Sequence, residues 1–394
     1  MVAAMSAPLS PPRLHTLVLM SSLSVLTLTM FLPSLGSLAE DFAISYGRAT
    51  LAFSGYLVAS AALQLLFGPL SDRYGRRPVA LGAILAYTFA SLGCALAPNF
   101  AVFLIFRLIQ SAIIGCAVMA PAIIRDMYEP GTAARRLGLM AMVMSLAPLF
   151  GPMVGGVLET SLGWRASFYV YAVLGLALLA LIWFDLGETN TASKSSFRAQ
   201  MRGYPGLLAA RPFWGYALCM MLSVGAFFAF LAGAPLVAGP SFDLNAAQLG
   251  LVMGGITGAF GIGNAVSVRL AGRHGLFPMI LAGRLVAVLG LSAALAGFLI
   301  GPGGLAIYMA GVLCVGLSNG LTMPSANAGV LSVRPDLAGS AAGLSGAMIV
   351  AGGAVVTSSV TPVLTLNPTP FRHLVILLLI ATLALATLAL VPRR

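Results

Sequence analysis

Asp72, Arg73, Arg76 and Arg77 fall within six positions of a chain in which 31 of 394 residues are charged. They belong to the stretch FGPLSDRYGRRP (residues 67–78), which has hydrophobic sequence on both sides. A carboxylate beside three guanidinium groups can form ion pairs, face a helix N-terminus or anchor a turn at a membrane surface. Arg107 is a different case, a single charge seven residues inside an apolar run. At the centre of a membrane helix a charge costs roughly 2.5–3.5 kcal/mol on insertion scales, so Arg107 needs interior partners or an anionic or polar ligand. Gln110 and Ser111 lie one turn on and can share its face. Arg125 and Asp126 read as a loop ion pair that links to the first cluster.

Other chemistry is missing. The sequence has no nucleophile–base pair, metal-ligand cluster, phosphate-binding loop or Walker motif. This speaks against an enzyme, a resident cofactor or metal, and an ATP-driven pump. Cys94, Cys116, Cys219 and Cys314 are widely spaced within apolar runs and read as small buried residues.

The elements that must position these residues are membrane helices. The chain is 59% hydrophobic, more than the interior of a soluble fold can bury. Twelve apolar runs are long enough to cross a bilayer, at about 16–36, 49–70, 78–97, 100–124, 136–158, 166–184, 213–235, 247–269, 277–300, 304–329, 338–361 and 373–391. They do not alternate, and helices satisfy their own backbone groups in lipid. The first run lacks a small-x-small cleavage site and reads as helix 1 rather than a signal peptide.

The net charge of +11 sits between the runs rather than on a soluble face, so it signals topology rather than nucleic-acid binding. With the N-terminus inside, sixteen Lys and Arg residues flank the helices on the inner side, and only Arg48, Arg165 and Arg372 on the outer side. The positive-inside rule then places both termini in the cytoplasm, with the opening cluster in the cytoplasmic turn between helices 2 and 3. The longest polar stretch, 186–212, divides the chain into a six-helix unit at 1–185, a basic linker, and a second six-helix unit at 213–394. LSDRYG (70–75) recurs as LAGRHG (270–275), an offset of 200 at the same point of each unit. Two parallel six-helix repeats form a recurring transporter architecture, with its substrate site near the midplane.

The opening stretch resembles the signature loop of the major facilitator superfamily, G-x-L-[AS]-D-R-x-G-R-[RK]. Gly68, Leu70, Asp72, Arg73, Gly75, Arg76 and Arg77 all fit that pattern. FRLIQSAIIG, with Arg107, Gln110 and Gly115, is similar to a second motif of the family. GLMAMVMSLAPLFGPMVGG looks like the antiporter motif of its drug exporters, with Gly138, Gly151, Pro152, Gly155 and Gly156 in place and Ala147 where Gly is preferred. PAIIRDMYEPGTAAR, GWRASFYVYAVLGL and GLSNGLTMPSANAGVLS resemble the bicyclomycin/chloramphenicol-resistance exporters. The resemblance implies a twelve-helix, all-α bacterial inner-membrane antiporter that exchanges drugs for protons. It also implies that Asp72 faces helix 11 of the other half when the protein is open to the outside. One departure matters. Thr29-Met30-Phe31-Leu32-Pro33 stands where that branch carries D-M-Y-L-P, so a hydroxyl replaces its membrane acid.

Polar and aromatic stripes mark candidate cavity faces. Tyr56, Ser60 and Gln64 fall within an arc of about 80° on helix 2. Ser22 and Thr29 share a face of helix 1; Tyr216, Cys219, Ser223, Phe227 and Phe230 lie on helix 7; Asn319, Met323 and Asn327 lie on helix 10. An apolar cavity with a few polar groups suits amphipathic molecules, and eighteen methionines add adaptable surface. Helix 5 is expected to pack against GGITGAFGIG (254–263) of helix 8 between the halves.

The ten acids, Glu40, Asp41, Asp72, Asp126, Glu129, Glu159, Asp185, Glu188, Asp243 and Asp336, all fall near helix ends. The reading is therefore a monomeric exporter of neutral or anionic amphipathic compounds. Any coupled proton would travel on Asp72, Asp126 or Asp41. A dedicated metabolite exporter or facilitator on the same fold, and a membrane sensor that moves nothing, are the alternatives.

Overall fold

The computed structural model describes residues 12–144, 146–189, 204–270, 273–301 and 303–392. It is all-helical, and twelve helices are long and apolar enough to cross a membrane. They are α1 (Leu14–Asp41), α2 (Tyr46–Tyr74), α3 (Arg76–Ala95), α4 (Phe100–Met127), α5 (Gly131–Leu162), α6 (Arg165–Asp185), α7 (Arg211–Ser241), α8 (Ala246–Leu270), α9 (Leu276–Ile300), α10 (Leu305–Val333), α11 (Gly339–Leu366) and α12 (Pro370–Leu390). Each coincides with one of the twelve apolar runs. Several boundaries differ by a turn or more, among them the far ends of α1 (Asp41 against 36), α7 (Ser241 against 235) and α11 (Leu366 against 361). α5 begins before 136, and Arg211 and Pro212, counted with the linker, open α7. Residues 190–203 of that linker lie outside the described residues. An even number of spans places both ends of the chain on one face, here the terminal face; the α1–α2 and α7–α8 turns lie on the far face.

α1 is interrupted. It is α-helical over Leu14–Thr29, passes through a 3₁₀ turn at Leu32–Ser34 and resumes over Leu35–Asp41. Pro33 has no N–H to continue the ladder, so the turn tightens there. The turn leaving α1 also reveals the repeat. Ala43 takes φ 50°, and Ile44 N–H donates to Ala39 O at 2.9 Å. Two hundred residues later Asp243 takes φ 51°, and Leu244 N–H donates to Gly239 O at 2.9 Å. This is the offset that relates LSDRYG to LAGRHG.

α5 stands between α1 and α8. Its Gly151 and Gly155 face α1, against Thr29 and the Met30 carbonyl, while Pro152 and Gly156 face the Gly250 and Ala246 backbone of α8. On α8, Gly254 meets Leu149 of α5, whereas Gly263 turns instead to the Leu317 carbonyl of α10. Such approaches exist because lipid supplies no hydrophobic drive between helices, and small residues let the backbones touch. At the far face the Tyr46 hydroxyl donates to Ala232 O of α7 at 2.6 Å, and Phe53 meets Phe228 edge-on at 5.5 Å. α2 follows α11 inward from there, down to Gln64 beneath Gly346.

A methyl group on Gly155 would overlap the Met30 carbonyl, whereas one on Gly138 would meet nothing within 4 Å. Overpacking of this kind costs about 1–3 kcal/mol. Thermal unfolding of the purified variants should show Gly155→Ala clearly destabilised and Gly138→Ala close to the parent. Equal stability of the two would contradict the α1–α5 contact.

Candidate functional site

The signature cluster forms a one-residue turn. α2 ends at Tyr74, α3 starts at Arg76, and Gly75 between them adopts φ +100°, with Glu188 pressed where a Cβ would stand. That backbone conformation is open to glycine at little cost. Glu188 accepts from the N–H groups of Arg76 (2.9 Å) and Arg77 (3.3 Å), so a carboxylate caps the positive end of α3. Arg76 is nearly buried and binds two acids at once, Asp72 at 2.7 Å and Asp126 at 3.1 Å. Asp126, read from the sequence as the partner of Arg125, is thus held by Arg76 of the opening cluster. Arg77 donates to Trp183 O at 2.8 Å and lies over that indole. Arg73 is exposed beside Tyr74, Leu70 is exposed, and a side chain at Gly68 would meet open space. The arginines of the motif therefore tie the α2–α3 turn to the ends of α4 and α6.

Arg107 is fully buried. The break in α1 leaves carbonyls in its last turn without intrahelical donors. Arg107 Nη2 donates to one of them, Thr27 O, at 3.0 Å, and Tyr171 Oη donates to the same oxygen at 3.3 Å. Arg107 Nε donates to Ala52 O of α2 at 3.2 Å, and Nη1 donates to Gln110, which donates in turn to Ser91 of α3 at 2.7 Å. The guanidinium lies 4.1 Å from the Phe31 ring centre and 4.4 Å from that of Tyr56, close enough for attraction to both π faces. One side chain thereby joins α1, α2, α3 and α4.

The second half contains a comparable knot that the sequence reading left without a role. Arg284 of α9 is buried and donates to Thr322 (3.1 Å), Ser223 (2.6 Å) and Asn319 (3.0 Å), and Asn319 donates to Ser223 O at 2.9 Å. Asn319 and Ser223 thus hold the arginine that joins α7, α9 and α10.

The α2 stripe has unmet polar groups. Tyr56 Oη, Ser60 Oγ and Gln64 Oε1 are buried without hydrogen bonds of normal geometry among the described residues, with Ser60 and Ser24 beside the Tyr56 hydroxyl. They run from the Arg107 knot to the α11 contact at Gly346. The other stripe residues are not gathered here. Ser22 opens into an apolar groove of about 360 Å³ between α1, α5 and α6, within one half. Thr29 bonds back to Val25 O at 3.1 Å and faces Gly151. Tyr216 packs on Gly329 of α10, Met323 joins the core around it, and Asn327 is exposed. Phe227 lies beside Phe228, which meets Phe53.

The end acids are engaged as well: Asp41 binds Arg165 at 2.6 Å, and Asp185 accepts from Thr16 and from the Arg13 N–H. Sequence reasoning also missed the pairing of Tyr308 with His373, whose only signal was a histidine beside an apolar run.

A twelve-helix bundle with small-residue contacts at its interfaces and polar knots at its core is a membrane transporter architecture. The family model described as Major Facilitator Superfamily matches residues 17–358, and the chain belongs to that superfamily. It is accordingly a multi-pass membrane transporter and not an enzyme. It is 35% identical over 218 residues to a chloramphenicol resistance protein of Pseudomonas aeruginosa, an alignment that takes in 54% of this chain and about half (51%) of that relative's length. It is 30% identical over 318 residues to the multidrug transporter MdfA of Yersinia pestis bv. Antiqua (strain Angola), covering 77% of this chain and 76% of that protein. Among solved structures it superposes on a D-xylose-proton symporter with a TM-score of 0.77 at 16% identity, over 96% of this chain and 97% of the other. A bacterial homologue of the human lysosomal transporter Spinster, inward-facing and occupied, matches with 0.76 at 15% identity, over 95% of each chain. These structural likenesses establish the fold.

Lysine at position 107 would bring a point charge in place of a planar fork and strand several acceptors on different helices. Hydrogen bonds to charged groups are worth about 1.5–3 kcal/mol each. Arg107→Lys should lower the melting temperature by several degrees and remove most transport at normal expression; near-parental behaviour in both would show that bulk charge suffices.

Proposed function

We propose that this protein exports small amphipathic compounds, neutral or anionic, across the bacterial inner membrane by alternating access, as a monomer and in exchange for protons. The observation that carries the substrate class is the distribution of deep charge. Two arginines, Arg107 and Arg284, are buried within the bundle, while the described acids from Glu40 to Asp243 lie at helix ends or turns. A lipophilic cation entering that interior would find like charge and no counter-charge. The resistance names of relatives at 30–35% identity support drugs as the cargo.

The excess of arginine and lysine at the terminal face marks it as the cytoplasmic side. The halves, 1–185 and 213–394, rock about α5 and α8, whose glycine-lined contact lets backbones slide without side chains to interlock. Tyr46 with Ala232, and Phe53 with Phe228, then form the outer gate, here closed. The α2 stripe of Tyr56, Ser60 and Gln64 offers polar contacts to cargo, with Gln110 and Arg107 behind it.

Expression in an efflux-deficient bacterium, scored with and without a proton uncoupler, tests this. Resistance to chloramphenicol that the uncoupler abolishes is expected, with little protection against ethidium; robust ethidium export would sink the substrate class. Within the same assay Asp72→Asn should lower turnover several-fold and leave substrate affinity nearly unchanged. Asp72 shares Arg76 with Asp126 at the α2–α3 turn and touches no cargo, so a pure affinity loss would count against its gating role.

A further inference from the structure

His373, in the first turn of α12, is fully buried. Its Nδ1 lies 2.8 Å from the Tyr308 hydroxyl of α10, and the two share one hydrogen. Its Nε2 is buried and makes no hydrogen bond of normal geometry among the described residues, with the Ala229 carbonyl of α7 beside it. The ring stacks on Phe230 of α7 at 6.0 Å and lies directly under Gly233, where a Cβ would stand 2.9 Å from Nε2. Leu364 of α11 closes the same pocket. Around the ring, the Tyr308 phenol and the Ala229 carbonyl are the polar groups, and Arg372 precedes it on its own helix. A buried polar atom without a well-made hydrogen bond is costly, so this one calls for an explanation.

The pocket wall is also the gate. The stretch of α7 that covers His373, Ala229–Gly233, is flanked by Phe228 and includes Ala232, which hold Phe53 and Tyr46 of the other half on the opposite side of the helix. This stretch is soft. Pro235 and Pro240 remove two rungs of the α7 ladder, and small residues fill the interval. Meanwhile Asp72 and Asp126 share Arg76, and Asp41 binds Arg165, so arginines already hold the end acids.

We propose that His373 is the proton-binding site of this transporter, loaded when the outer gate opens. This rests on the proton-antiport reading given above. In the closed state the ring is dry, and a charged imidazolium there lacks solvation. When Tyr46 and Phe53 leave α7, its proline-softened end unpacks from α12 and water reaches Nε2. An imidazole lone pair takes H⁺ from that water, the imidazolium donates from Nδ1 to Tyr308 Oη, and its Nε2–H turns to water or to Ala229 O. Exchange then requires that, once the outer gate has closed, the Nε2 proton pass to water that communicates with the terminal face, which leaves a neutral ring in the dry pocket. Histidine is the side chain whose ordinary titration range makes this a switch near neutral pH.

Spin labels at positions 40 and 241, exposed at the far ends of α1 and α7, report the gate without any cargo. In nanodiscs the long-distance population should grow as pH falls from 8 to 5.5, following a single titration. H373Q should flatten that curve, and Tyr308→Phe should displace its midpoint by several tenths of a pH unit. A titration that survives in H373Q, or a flat profile in the parent protein, overturns the site. Should H373Q fail to fold, an unmoved midpoint in Tyr308→Phe overturns it equally. Chloramphenicol transport in liposomes under an imposed pH gradient separates the two claims. A His373-dependent gate without gradient-driven transport would remove proton antiport and keep the site.

Discussion

A charge placed in lipid must be surrounded by oxygen that the fold itself supplies. Both halves of this protein depend on that constraint. Arg107 reaches the Thr27 carbonyl where α1 breaks, the Ala52 carbonyl of α2, and Gln110. Arg284 reaches the side chains of Ser223, Thr322 and Asn319. The two knots use neutral acceptors, which cannot be lost to protonation, so each stays intact whatever the pH on either side. They grow from different helices, α4 in the first half and α9 in the second, so they are not copies. The same physical need was met twice by separate routes. Each knot fixes the helices around it, and that is the stiffness the proposed rocking of the halves requires.

In the proposed rocking, movement is confined to surfaces built from small residues. α5 presents Gly151 and Gly155 to α1 within its own half and Pro152 and Gly156 to α8 of the other. One helix thus serves as both wall and bearing. The signature turn at the opposite end works differently, because Arg76 between Asp72 and Asp126, and Glu188 on the α3 N-terminus, lock α2, α3, α4 and α6 together. The pairing of stiff turns with slippery faces follows from which residue types the sequence places there.

The twelve spans were legible because lipid forces long apolar helices with charged turns, a rule that acts through composition alone. Gln110 was legible as a partner of Arg107 from helical spacing. The Thr27 and Ala52 carbonyls were not, since every residue carries the same backbone oxygen and only the fold decides which is bare. Helical periodicity grouped Ser22 with Thr29 correctly on one helix, yet it could not say that neighbouring helices divide that face between a groove and a glycine contact. Glu188 escaped notice because it lies 113 positions from Gly75 and is joined to it by tertiary structure alone. The link from Asp126 to the opening cluster was legible, but it was read through a pair with Arg125, whereas the ion Asp126 binds is Arg76 itself.

Ala43 and Asp243 hold left-handed backbone, at φ 50° and 51°, in corresponding turns two hundred residues apart. For Ala43 that conformation carries strain of roughly 1–2 kcal/mol that glycine escapes, whereas the short polar side chain of Asp243 suits it better. The two turns share one backbone shape, although one side chain is a methyl and the other a carboxylate. Ala43 is consequently a solvent-side position, remote from both arginine knots, where glycine would relieve strain. In a chain extracted into detergent, that relief is a small gain in stability available away from the transport machinery.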